Sequence, residues 1–317
     1  MTDPLRPKPI PANARCAICE APMPVADLLL QKAAPYVVCR QFDCQRLIQQ
    51  LPRMNTPQFN ALLAFHRRQL AERREREQAR QHHQQQVEAN EAADNQALLE
   101  AFVAQHPDLP APPDIMPLPK GINTLTPVSP ERRTRFLQHL EQALAEATAC
   151  ANVNELPQDQ HFVAHERRVK QDALLASLPR LQSLSDQLCT LCQGGCCSEG
   201  ADHAYLSAVS LRRQLDADPA LTAATLAQQY RDHIPAAAMD NACLFQTESG
   251  CNLPRALRSD VCNHFYCTPL QQLQQQWQRE PPQRLLVIQR NNTWWNRYDC
   301  DEKNPLVGTM LIPVVQE

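Results

Sequence analysis

The chain has 317 residues, with 31 basic and 34 acidic side chains and a formal net charge of −3. That balance excludes a general electrostatic attraction to nucleic acid or to anionic membranes. Six glycines against 27 prolines, with aromatics at 5%, argue against a β-sandwich or a glycine-turn-rich α/β fold and for helices separated by proline-marked breaks.

The expected fold class is mainly α with small β elements: a cysteine-rich, metal-stabilised helical domain plus a small N-terminal zinc finger. No apolar run approaches the roughly 18–20 residues that cross a bilayer. The opening M-T-D-P-L-R-P-K-P-I-P has no apolar core and does not read as a signal peptide. The expectation is a cytosolic protein without a membrane partner, in a compartment where thiols stay reduced. Fourteen cysteines there point to metal rather than to disulfides.

Residues 1–52 read as a finger. Cys16 and Cys19 form one C-x-x-C pair, and Cys39 and Cys44 a second about twenty residues on. A short C-x-x-C turn offers two thiolates from one knuckle, and the second pair closes a tetrahedron around zinc. Cys44 falls where a helix through Leu47, Ile48 and Leu51 begins, and a helix N-terminus favours a thiolate. The arrangement resembles a small treble-clef zinc finger. About fifty residues bury little core alone, so a structural metal is expected.

Residues 53–106 read as one long polar helix, with Thr56 as its N-cap, Pro57 in its first turn and an end near Gln105. Ala71 to Gln96 is nearly all polar and shows no heptad seam. This is the pattern of a solvated spacer, offering a surface for a protein partner. The Arg67–Arg80 turns could meet phosphate, but glutamates are interleaved with them. His82 and His83 are neighbours on different helix faces and read as surface residues. Eight prolines mark residues 107–130 as an extended linker.

Residues 131–317 read as the cysteine-cluster domain. Ser129-Pro130 opens a helix to about Ala149, a second covers Phe162 to Leu178, and a third from Arg180 ends in the cysteines at Gly194-Gly195. Two more helices are expected between Ala201 and Ile234. Arg284–Gln289 and Thr293–Tyr298 flank Arg290-Asn291-Asn292 as a β-hairpin.

Eight cysteines lie between 189 and 267: Cys189, Cys192, Cys196, Cys197, Cys243, Cys251, Cys262 and Cys267. Cys189 and Cys192 share a helix face and can chelate one ion. Adjacent Cys196 and Cys197 diverge, so one of them serves a second metal, bridges two, or stays a reactive thiol. Eight thiolates divide as two fours, which suits two tetrahedral ions, or one iron–sulfur cluster plus zinc. Arg258 is placed to balance thiolate charge. His203 and His264 are candidate imidazole ligands, with ordinary packing histidines as the simpler reading. Cys150 reads as structural, and Cys300 as a thiol within reach of the cluster.

At these residues the chain resembles the YkgJ-type cysteine-cluster family, described as zinc- or iron-chelating domains. Cys189, Cys192, Cys196 and Cys197 match its first block and Cys243-Leu244-Phe245 its second. Cys251-Asn252-Leu253, Arg258, Cys262, Phe265 and Cys267 match its third. Ser259 stands where the family has proline, and Asn263 where it has arginine. The resemblance covers about a quarter of the chain and implies a metal- or iron–sulfur-binding domain. Related modules occur in a flagellin lysine methylase.

The expected function is a cytosolic protein that chelates zinc or iron, including an iron–sulfur cluster, and acts as a binding or metal-handling module rather than an enzyme. An iron–sulfur-dependent redox or methyl-transfer enzyme is the alternative. No radical C-x-x-x-C-x-x-C motif, P-loop or nucleophile elbow accompanies the cysteines to favour it. A zinc-finger nucleic-acid adaptor is a second alternative, weakened by the acidic residues in the basic run.

Overall fold

The computed structural model describes residues 15–23, 37–50, 55–121, 123–193, 195–293 and 296–314. The chain divides into two compact units after Gln85. The fold is mainly α with small β elements, as its composition implies. Among the described residues, no helix is long and apolar enough to cross a membrane.

In the first unit a bridge between Arg15 and Pro22 closes the loop that carries Cys16 and Cys19. Helix α1, Phe42–Gln50, follows the second cysteine pair. Helix α2, Thr56–Gln105, runs for 50 residues, and the division between the units falls inside it. Its first turn is capped by Asn55 rather than Thr56. Asn55 Oδ1 accepts from the Gln58 N–H at 2.9 Å while Gln58 Oε1 accepts from the Asn55 N–H at 3.3 Å. This is a reciprocal box that leaves Thr56 and Pro57 in helical positions. Phe59 and Leu70 of α2 join Ile18, Val38 and Leu47 in a small core that also contains the four cysteines. Much of the predicted 1–52 finger, residues 1–14, 24–36 and 51–52, lies outside the described residues.

The second unit begins with the last turns of α2. That half is not solvated all round: Val87 is fully buried and Asn95 nearly so. Residues 107–130 are extended in part, as read, but they carry two paired strands rather than a plain linker. Strand β1, Asp114–Pro119, pairs in parallel with β6, Arg284–Arg290. Its prolines are tolerated because β1 is an edge strand with one neighbour. Strand β2, Leu125–Pro127, pairs with β3, Ala237–Met239.

The next helices follow their local signals. Helix α3, Pro130–Thr148, starts at Ser129, whose Oγ accepts from the Arg132 N–H. Helix α4 is Gln160–Ala176, and α5, Pro179–Cys192, begins with proline where a missing N–H costs nothing. Helices α6, Ala208–Ala217, and α7, Ala223–Asp232, are capped by Ser207 and Thr222. Two-residue strands β4, Gln246–Thr247, and β5, Gly250–Cys251, make a small ladder. Short helix α8, Asp260–His264, and α9, Thr268–Trp277, lead into β6.

The C-terminal hairpin pairs β6 with β7, Leu306–Pro313, and not with Thr293–Tyr298. Residues 296–298 form a turn, in which Thr293 Oγ1 donates to Asn296 Oδ1 at 2.6 Å. Trp294 and Trp295 lie outside the described residues.

Two apolar cores fill the second unit. One gathers Phe136 and Leu140 from α3, Leu211 from α6, and Leu226 and Tyr230 from α7, with Phe245. Tyr230 is buried with its hydroxyl satisfied, accepting from Gln214 and donating to the Leu257 carbonyl, both at 2.7 Å. The other core stacks Leu181, Leu184 and Leu188 of α5 and Leu270 of α9 on Met116 and Val287 of the sheet. Cys243 and Cys197 belong to the edge of the first core, and Cys192 and Cys267 to the edge of the second. Four of the eight core cysteines are thereby tied to the two apolar cores.

Candidate metal centre

The finger is built by backbone geometry. The Cys16 N–H donates to the Ala21 carbonyl at 3.0 Å and the Glu20 N–H to the Cys16 carbonyl at 2.9 Å. Glu20 takes a left-handed φ of 59° to close this knuckle. The Ala17 N–H donates to the Val37 carbonyl at 2.8 Å, bringing the second pair alongside. Gln45 Nε2 bonds the Cys39 carbonyl, and Cys44 lies in the first turn of α1. Arg67 of α2 clamps the knuckle through the Ala17 and Ile18 carbonyls.

Cys16, Cys19, Cys39 and Cys44 are all buried, and their sulfurs lie within 4.8 Å of one another. The Cys19 and Cys39 sulfurs are 3.7 Å apart. A tetrahedral zinc with Zn–S bonds of about 2.3 Å has sulfur–sulfur edges of about 3.8 Å, so the residues fit that ion. Burial pushes the Cys16 thiol up, but N–H groups of Cys19, Cys39 and Ile18 outweigh it and hold it at about 7. The Cys39 N–H reaches Cys16 Sγ at 3.3 Å. Burial, and then the charge on Cys16, drive the Cys44 thiol far up, and burial raises Cys39 as well. Four thiols packed without a cation cannot all ionise, and a divalent ion removes that conflict. These four buried thiols can hold a metal ion.

The core thiols come from six segments. Cys189 and Cys192 occupy the last turn of α5, which Gln193 ends with a φ of 50°. Gly194 lies outside the described residues. Cys196 and Cys197 open a 3₁₀ turn. The chain passes so close that a Cβ on Gly195 would lie 2.9 Å from Cys192 Sγ, and one on Gly200 3.0 Å from Cys243 Cβ. Cys243 is tied to Cys197 by a 2.9 Å backbone bond. Cys251 ends β5, Cys262 lies in α8, and Cys267 precedes α9.

The thiols act on one another in two neighbourhoods. Burial, then Cys196, Cys267 and Cys192, raise Cys189. Burial, then Cys262, raise Cys243, where Cys251 adds to the rise. Cys196 and Cys197 join the two: their mutual hydrogen bond lowers Cys196 and raises Cys197. Among the described residues, the finger's four thiols are the one group of three or more potential ligands that lie within 4.8 Å of one another. Cys189, Cys192, Cys196, Cys197 and Cys267 line a cavity of about 420 Å³.

Around this core Arg258 donates to the Leu253 carbonyl, pairs with Asp186 at 3.4 Å, and opposes part of the rise that burial imposes on Cys262. His264 bonds the Asp260 carbonyl, and His203 Nδ1 accepts from the Tyr205 N–H, so both rings serve the backbone. Cys150 packs against the first core. Burial raises the Cys300 thiol, and its charged neighbours are Glu91, Asp301 and Asp299 rather than other thiols.

Asp260 went unrecognised in the sequence. It is 1% exposed and meets Arg168 at 3.0 Å and Arg213 at 2.8 Å. It thereby anchors the helix that carries Cys262 to α4 and α6. Its partners lie tens of residues away, so no local pattern signals the contact.

Fold and site define a mainly α, cysteine-rich protein with a buried tetrathiolate set. Comparison of the chain with family models, with curated proteins and with solved structures finds no match in any of the three.

Proposed function

We propose that this is a cytosolic metal-binding protein with two kinds of thiolate site. The finger holds a structural zinc through Cys16, Cys19, Cys39 and Cys44. The core, Cys189, Cys192, Cys196, Cys197, Cys243, Cys251, Cys262 and Cys267, chelates zinc or iron and makes the protein a metal-handling module. The convergence of four buried sulfurs within 4.8 Å carries the reading. The resemblance of residues 189–267 to the YkgJ-type cysteine cluster supports its second half.

Metal content and an absorption spectrum, taken on protein purified without oxygen, test the proposal. Roughly two or three zinc per chain without a visible band is the expected result. Metal-free, folded protein would overturn it. The alternative of an iron–sulfur-dependent redox or methyl-transfer enzyme is favoured by one observation, the cavity against five core thiols. Iron with acid-labile sulfide and a brown band would carry that alternative.

A further inference from the structure

The cavity beside the core has a volume of about 420 Å³, within the roughly 300–1,000 Å³ range of small-molecule sites. Most of its wall is apolar or soft: Leu118, Phe265, Leu270 and the Pro117 and Pro119 rings stand with the five cysteines. The same wall carries charges of both signs, Glu88 and Glu91 against Arg290 and Arg297. Each of them is engaged by a protein group. Glu88 accepts from the Tyr298 hydroxyl at 2.6 Å, and Glu91 from the Asn304 N–H at 2.9 Å. Arg290 is buried and bonds Asp94, Asn95 and the Asn304 carbonyl. Arg297 lays its guanidinium over the Tyr298 ring at 5.3 Å. Two carboxylates balance two guanidinium groups, so the wall favours an uncharged ligand, since an ion entering it would lose its water for little return. One polar group is left over. Asn292 lines the cavity and is 7% exposed, and its Oδ1 has no hydrogen-bond partner among the described residues. A buried amide oxygen in that state is costly, and an N–H or O–H from a ligand relieves it.

We infer that this cavity binds an uncharged aromatic small molecule carrying one N–H or O–H, which donates to Asn292 Oδ1 while its ring lies against the cysteines and Phe265. Sulfur is polarizable and packs favourably against aromatic rings, and Phe265 adds a ring of its own to stack on. The inference goes beyond the metal reading of the core and does not rest on it, because the cysteines supply contact here and not coordination. Ala92 of α2 and Gln272 of α9 are exposed and also line the cavity, so they stand where the molecule passes in.

The test is a calorimetric titration of the full chain, purified without oxygen and with its metal counted first. Indole is the probe, 1-methylindole its analogue without the donor, and indole-3-acetate and tryptamine its anionic and cationic analogues. Indole should bind saturably, with one site per chain. The analogue 1-methylindole should bind about three- to tenfold more weakly, the scale of one hydrogen bond, and both ions should bind more weakly than indole. Asn292→Leu should erase the difference between indole and 1-methylindole. Ala92→Trp and Gln272→Trp, on exposed helix positions, should weaken indole by about tenfold as their bulk takes the ligand's space. These two variants decide the matter should Asn292→Leu fail to fold. No saturable uptake of indole, or undiminished uptake in both tryptophan variants, overturns the inference. An unchanged preference for indole over 1-methylindole in Asn292→Leu overturns its donor half, and tighter binding of either ion overturns its uncharged half. The metal count reports on the chelator reading by itself, so the two readings fail separately.

Discussion

Gly195 stands where any side chain collides with the cluster, since its Cβ would lie 2.9 Å from Cys192 Sγ. Gly195→Ala should displace that sulfur and weaken core metal binding by about 10–100-fold, the effect usual for a disturbed ligand shell. The finger's ion should remain. Competition with a chromophoric chelator measures this, and unchanged core affinity would contradict the proposal that Cys192 is a ligand. Ser259 makes a comparable contribution from a position where the resembled family has proline. Its Oγ accepts from the Cys262 N–H at 3.2 Å and donates to Cys262 Sγ at 3.3 Å. The spacing of the finger's cysteines was legible because a knuckle is a local structure. The grouping of the core thiols was not, because they come from six separate segments whose placement depends on tertiary packing.

Buried ion pairs position some elements of this fold alongside the apolar faces. Asp260 joins α8 to α4 and α6 through Arg168 and Arg213. Asp260→Asn leaves two buried guanidinium groups without their carboxylate and should cost about 3–5 kcal/mol in a denaturant titration. A loss under 1 kcal/mol would show that the network is solvated. Asp94 of α2 plays a milder part. Arg290 first, and then Lys303, hold its carboxyl below the usual range. A depressed folded pKa gives stability that is complete above the unfolded value and is lost as pH falls through the folded one, in the window below about 4. Asp94→Asn should therefore narrow the stability difference between pH 6 and pH 3, and an unaltered acid limb would contradict the pairing. Helices were readable from apolar spacing and from caps such as Ser129. The strands were not: prolines in β1 mimic a linker, and the β-forming residues after Asn292 drew attention from β7, whose pairing with β6 is set by tertiary packing.

The molecule as a whole joins two compact units, each with a core of its own. In the first unit that core is small and includes the four finger cysteines, so most of its stability should come from the metal. Structural zinc contributes about 10–16 kcal/mol of apparent binding free energy in small fingers, more than such a core supplies. Cys39→Ser should lose one metal per chain and abolish hydrogen-exchange protection in α1, while α3 to α9 keep theirs. Loss of protection throughout would contradict the division into units. The most direct measurement is X-ray absorption at the zinc edge of the intact protein. The account predicts an all-sulfur shell of four scatterers at about 2.3 Å. Nitrogen or oxygen scatterers at about 2.0–2.1 Å would contradict zinc held by thiolates alone in the finger and the core.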